Sequence, residues 1–393
     1  MGCRLMLARF AYALLFALLM VGPAGADVLV AYVGLAEPPK PQLSFLDLVV
    51  RDEGLAGARL AIADSEVTAR FTNRHIRLSE TMLAAQDGME SEIPALAKQQ
   101  AVAFVAALPP QDLLKLAAAV SPRPVINISA RDDALRREQC RANILHTIPS
   151  HAMLADGLAQ YLALKGWTRW ALVIGPAAED RLLAAAFRQS ATKFGSEIVD
   201  EKDWTLKLGQ GRADSGHVAL QTEIPVFTRL ADHDVLVVAD TGASFGDYLP
   251  YRTASPRPVA GTQGLTASGW SPVLDQWGAA QLQERFLKQS GRPMTERDYA
   301  GWLAITAIAE AANRTGASDA AALFSYLTGD QFQLAGFKGE ALSFRAWDGQ
   351  MRQPILLAGS RLLVSVSPQP GFLQKGSDLD SLGDAAEENR CAR

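Results

Sequence analysis

Two runs constrain the fold most: AVAFVAA at 101–107 and VLVVA at 235–239. Neither alternates apolar with polar residues, so neither suits a sheet with one wet face. A continuous apolar run of this length, bounded by turn residues, predicts a strand covered on both sides. Such strands belong to parallel sheets, whose connections return across a face through a helix. The surrounding sequence supplies those parts. Strands are predicted at 28–33, 76–78, 124–128, 170–174, 197–202 and 258–261. A proline-bearing loop is expected at 34–44. Helical periodicity occupies 52–64, with acids crowding its first turn, then 93–100, 111–120, 131–138, 153–165 (capped by Ser150), 179–194 and 218–230. The last is broken or kinked at Pro225, and the glycine-rich stretch 208–216 before it predicts a loop. The 393 residues are too many for one small core, and the pattern restarts after 145–150. Two α/β halves are therefore expected.

Beyond 264 the chain turns helical, at 274–289, from a capping box at 295–298 through 312, and from Ser318 through 327. The stretch LAGFKGEALSFRAWDGQMRQPILL at 334–357 then predicts a strand at 341–344, a turn at Trp347-Asp348-Gly349 and a strand at 353–357. A last strand follows at 362–366, and the polar tail 375–393 is expected to be loose apart from Cys391. A chain that has made two α/β halves here leaves one and re-enters the other. The expected fold is α/β, with two Rossmann-like lobes joined by three hinge passages marked by Pro149, Gly264 and Gly349. Lobe one is expected at 27–148 plus 265–343, lobe two at 149–264 plus 344–375, and the tail at 376–393.

Arg4 and Arg9 precede an apolar run at 11–21, Pro23 interrupts it, and Ala24-Gly25-Ala26 suits cleavage. Residues 1–26 are expected to be a secretory signal peptide, too short to span a bilayer. Cys140 and Cys391 then remain. In an oxidising compartment such a pair is expected as a disulfide, with two free thiols as the alternative. A net charge of −4 gives no sign of nucleic-acid binding.

GASFG at 242–246 matches G-x-S-x-G directly after a strand, which would make Ser244 a hydrolase nucleophile. However, all five histidines (75, 146, 151, 217 and 233) precede it, so the hydrolase order Ser…Asp…His is impossible, and no catalytic residue is assigned. No HExxH, Cys-x-x-Cys, EF-hand or Walker pattern occurs, so neither metal nor cofactor is expected. In open α/β sheets small ligands sit beyond the carboxyl ends of the strands. The candidates there are Leu108 and Gln111, then Ser129, Ala130 and Arg131, then Asp240 and Thr241, then Thr262 and Gln263. Trp270 joins them near the second passage. Arg131 suits a carboxylate in a bidentate fork, against a plain reading as an exposed turn arginine. Trp270 has an equally plain reading as core.

Several runs resemble a known family. GLAGARLAIAD at 54–64 resembles the first-helix pattern G-x-x-G-A-x-L-A-I-x-D of type 1 periplasmic binding proteins, the branched-chain amino-acid-binding kind that serve ABC transporters. YAGW at 299–302, GFKG at 336–339, LSF at 342–344 and Asp348-Gly349 are similar to its later segments. CRANILHT at 140–147, FGDYLPYRT at 245–253, RPVAGTQG at 257–264 and WDGQMRQP at 347–354 resemble one subfamily. It is the substrate-binding protein associated with pyrroloquinoline-quinone (PQQ)-dependent alcohol dehydrogenase systems. The resemblance implies a monomeric periplasmic solute-binding protein, not an enzyme, with a small-molecule ligand and an ABC permease of the inner membrane as partners. The alternatives are a ligand-dependent sensor or accessory protein without transport and, behind it, a serine hydrolase using Ser244. Amino-acid binders of the family hold the α-carboxylate and α-amine with serine and threonine at the two turns that fall here at 108–111 and 129–132. Here the first of these turns is Leu-Pro-Pro-Gln, with few donors, and the first loop lacks G-P-x-x-x-x-G, which argues against an α-amino acid.

Overall fold

The computed structural model describes residues 27–36, 50–84, 88–205, 213–372, 374, 376–388 and 390–391. The expected signal peptide and most of the 34–44 loop lie outside the described residues. Two sheets organise the chain, one wholly parallel and one parallel with an antiparallel edge. The first has the order β2-β1-β3-β4-β5, from Val28–Ala36 (β1), Ile76–Ala84 (β2), Ala103–Ala107 (β3), Val125–Asn127 (β4) and Ile144–His146 (β5), every pair parallel. Helices α1 (Leu55–Thr72), α2 (Gly88–Lys98) and α3 (Pro110–Val120) belong to it. One face packs against α1, joined by the late helices α7 (Ala279–Ser290), α8 (Glu296–Thr315) and α9 (Ala320–Leu327). The other packs against α2 and α3 through Met89, Leu96, Leu113 and Leu116.

The second sheet has the order β15-β14-β10-β9-β8-β6-β7. Its parallel part is Arg169–Ile174 (β6), Glu197–Asp203 (β7), Val235–Ala239 (β8), Val259–Gly261 (β9) and Leu265–Ser268 (β10). Ile355–Ala358 (β14) and Leu363–Ser367 (β15) extend it antiparallel. Helices α4 (His151–Leu164) and α5 (Ala178–Lys193) cover one face, while α6 (Ala213–Phe227) covers the other with Trp204 and Phe245. A small antiparallel sheet of Leu334–Ala335 (β11), Ala341–Phe344 (β12) and Met351–Arg352 (β13) lies on the third passage. The result is two α/β lobes.

Several local expectations are corrected. Helix α1 has no acid in its first turn; Asp298 of α8 instead accepts the Gly54 N–H at 2.8 Å. Helix α6 starts at Ala213, inside the stretch expected to be a loop, and runs through Pro225 without breaking. Only a 3₁₀ turn, Asp133–Arg136, forms within 131–138. Asp319, not Ser318, caps α9 by accepting the Ala322 N–H. Ser150 does cap α4, and Thr295 with Asp298 does form a capping box on α8. Leu265–Ser268, placed by expectation in lobe one, is a strand of the second sheet. The tail is not loose: Leu379, Ser381 and Leu382 are buried, and Leu382 enters the second lobe's core.

Helices α1 and α8 cross with almost no space between them. A Cβ on Gly57 would lie 1.7 Å from the Asp298 carbonyl oxygen, and one on Gly301 would lie 2.3 Å from that of Gly54. Only glycine at both positions permits this approach.

Candidate functional site

The carboxyl ends of β3, β4 and β5 in the first sheet and of β6, β8 and β9 in the second carry the turns that can meet a ligand. Near the junction the two lobes touch directly. His151, the first residue of α4, donates its backbone N–H to the Arg131 carbonyl at 3.0 Å, and Ala152 donates to Asp133 Oδ1.

On the first lobe's rim most polar groups are already committed. Leu108 is core, and its carbonyl accepts the Ser129 hydroxyl at 3.0 Å. Asn127 closes the β4 turn: its Oδ1 accepts the N–H groups of Ser129 and Ala130, and its Nδ2 donates to the Ala130 carbonyl. Helix α3 opens with Pro109 and Pro110, which have no N–H to offer, and Gln111 is exposed on its first turn. Arg131 is not a free fork. It pairs with Glu296 of α8 at 2.6 Å and donates to the Pro149 carbonyl. Glu296 also accepts the Gly269 N–H, so one carboxylate joins the β4 turn to the second passage.

The second lobe's candidates hold one another. The buried Asp240 carboxylate accepts three backbone N–H groups, from Ser244, Phe245 and Gly246, at 2.8 to 2.9 Å. Thr241 donates its N–H and its hydroxyl to Asp180 of α5. Thr262 accepts the Asp240 N–H, and Gln263 donates to the Asp240 carbonyl. The G-x-S-x-G turn is therefore an aspartate-stapled loop. Among the described residues no histidine is hydrogen-bonded to Ser244. Trp270 lies in lobe one's core, stacked on Tyr299 with centroids 4.3 Å apart, its Nε1–H without a partner.

Of the residues expected at hinges, Gly264 lies at φ +74° in the turn from β9 to β10, inside the second sheet. The second passage begins after Ser268. Gly349, at φ +72°, lies on the third passage, where its carbonyl accepts the His146 N–H at 2.9 Å. Passages one and three are bonded together throughout. Gln350 donates to the carbonyls of His146 and Ile148 and accepts from Arg136 Nε; Gln353 donates to Thr147 at 2.7 Å. Lys338 is fully buried here, donating to Gln353 Oε1 and the Pro354 carbonyl, and burial pushes its ammonium down to about 7. Cys140 and Cys391 are bonded, with Cα atoms 5.6 Å apart.

Sequence reasoning missed His151. It is 1 % exposed, neither ring nitrogen has a hydrogen-bond partner, and Glu179 Oε1 stands 3.9 Å from Nε2. Burial, then the charges of Arg131 and Arg136, push it down to about 3, so the imidazole is neutral. The signal available was its position as the first residue after the Ser150 cap. Among the described residues no group of His, Cys, Asp or Glu could hold a metal ion.

Two α/β lobes facing each other across strand ends, with three bonded passages between them and polar turns spent on holding shape, define a binding architecture of the solute-capturing class. Sequence comparison agrees: the family of periplasmic binding proteins matches residues 84–361, and the chain belongs to it. No curated protein matches the chain in sequence. Solved structures share the fold. The branched-chain amino acid ABC transporter periplasmic ligand-binding protein of Burkholderia xenovorans aligns with a TM-score of 0.69 at 14 % identity, covering 93 % of this chain and 99 % of that one. A solute-binding protein of R. palustris, solved with benzoate, gives 0.65 at 13 %, over 94 % and 100 %. The branched-chain amino acid transporter substrate-binding protein of Streptococcus pneumoniae, solved with isoleucine, gives 0.61 at 14 %, over 87 % and 99 %.

Proposed function

We propose that the protein captures a small, weakly polar solute by closing its lobes over it, and delivers it to an ABC permease in a system linked to PQQ-dependent alcohol oxidation. The observation that carries the ligand class is the first lobe's rim. Its serine hydroxyl, its arginine and its turn asparagine are all bonded within the protein, and its helix opens on two prolines. An α-carboxylate and α-amine would have to displace those bonds. The PQQ link rests on the subfamily resemblance alone. The lobes are proposed as 27–148 with the segment from about 269 to 343, and 149–268 with 344–375. Pro149 and Gly349 are the proposed hinge markers, and Gln111 is the proposed rim contact.

A thermal-shift screen across leucine, isoleucine, benzoate, short alcohols, aldehydes and the quinone itself tests this. A ligand present at a hundred times its Kd adds about 2.7 kcal/mol. The largest shift is expected from a non-amino-acid compound, and a dominant shift from leucine overturns the ligand class. Gene deletion followed by solute-uptake and alcohol-oxidation assays separates transport from an accessory role. Unchanged uptake of every screened compound refutes transport.

A further inference from the structure

We propose that the C-terminal residues 376–388, with Cys391, form a strap, a fourth link between the lobes that sets how far the cleft opens. Its first half belongs to lobe two. Leu382 is core there, Gln160 donates to Ser381, Asp156 accepts the Gly383 N–H at 2.8 Å, and Lys193 donates to the Gly383 carbonyl at 2.8 Å. The very next residue belongs to lobe one. Asp384 takes both arms of the Arg137 guanidinium, at 2.7 and 2.8 Å, and Cys391 closes covalently on Cys140. Arg345 and Arg352 of the third passage both donate to Asp380, and Arg345 also donates to the carbonyls of Leu379 and Leu382.

Gly383 and Asp384 are thus neighbours in sequence, about 3.8 Å apart at Cα, anchored to opposite lobes. While the Arg137–Asp384 pair holds, the lobes cannot separate along this side. The pair is bidentate and only about a fifth exposed, the geometry in which an ion pair resists solvent best. If it breaks, the disulfide still caps the excursion: eight residues from Gly383 to Cys391 reach at most about 29 Å. The strap therefore acts as a tight latch backed by a long tether. The inference rests on the reading that the lobes move, and it concerns the amplitude of that motion.

The test is an inter-lobe distance distribution from non-cysteine spin labels at Ala118 on α3 and Leu182 on α5, both exposed. The unaltered protein is expected to give a narrow distribution. Asp384→Asn should broaden it toward longer distances, Cys140→Ser/Cys391→Ser should lengthen its far limit, and the combined variant should do both. A folded combined variant with the unaltered distribution overturns the proposal. Should that variant fail to fold, Asp384→Asn alone decides, and an unchanged distribution again overturns it. Solute capture is judged separately: tail variants that widen the distances while no solute binds would retain the strap and discard the capture reading.

Discussion

Replacing Lys338 with methionine reports on the buried junction between the lobes. The lysine ammonium has two oxygen partners, Gln353 Oε1 and the Pro354 carbonyl, both at 2.8 Å, and it lies 5.1 Å from the Tyr299 ring centroid. The carboxylate that favours its charge is Glu296, already engaged by Arg131. Burial outweighs these and lowers it from 10.5 to about 7. An unfolded lysine keeps its proton up to its ordinary value, so between about 7 and 10.5 the unfolded chain binds more protons than the native one. Raising pH through that window therefore stabilises the native state, by about 1.4 kcal/mol per pH unit and on the order of 5 kcal/mol across it. Below about 7 both states are charged and the full penalty is present. Lys338→Met removes the titration but leaves Gln353 Oε1 and the Pro354 carbonyl without this donor, at a cost of about 1–3 kcal/mol each. Urea denaturation of both proteins from pH 6 to pH 9 should show the unaltered protein gaining on the variant from pH 7 upward. Parallel pH profiles would refute the reasoning, because a lysine left charged in the fold has no such window.

Further outcomes follow from the same physics. His151, held near 3 against an ordinary 6.5, should cost stability as pH falls between those values, since the unfolded state takes up the proton first. His151→Leu should flatten that slope in urea titrations at pH 4 to 7. Asp240→Ala strands three backbone N–H groups and should lower stability by about 3 kcal/mol or more in thermal melts, with Asp240→Asn falling between. Gly349→Val forces a β-branched side chain to φ +72°, a strain of about 1–3 kcal/mol. It should alter the inter-lobe distance and the solute affinity together, and a variant that closes and binds unchanged would remove Gly349 from the hinge.

The fold was legible wherever burial on both faces wrote itself as a continuous apolar run, as at β3, β6 and β8. Short strands escaped. Ile144–His146 and Leu265–Ser268 are three and four residues long, and what makes them strands is their neighbours, not their own pattern. For the site, the turns at strand ends could be located from sequence, but not how their side chains were spent. Arg131 meets Glu296 across 165 positions, and nothing local announces that partner. The buried polar junction was hidden for the same reason. Lys338, Gln350 and Gln353 lie in a stretch rich in turn residues, where solvated side chains are the usual outcome. The tail misled through composition: its acids resemble a solvated end, yet Asp380 binds Arg345 and Arg352 of the third passage, and Asp384 binds Arg137 from 247 positions upstream.

The crossing of α1 and α8 fixes when the first lobe can form. The Gly54 N–H waits for Asp298, which follows it by 244 residues, and Gly57 must meet the backbone of Asp298 while Gly301 meets that of Gly54. The first sheet is complete by His146, yet one of its faces is covered only in part, by α1, until α8 exists. The second sheet likewise lacks β14 and β15 until residue 367. Neither lobe can finish early, and such distant pairings fold slowly. Each lobe therefore depends on chain that arrives late, and a fragment cut at residue 268 would contain no finished lobe.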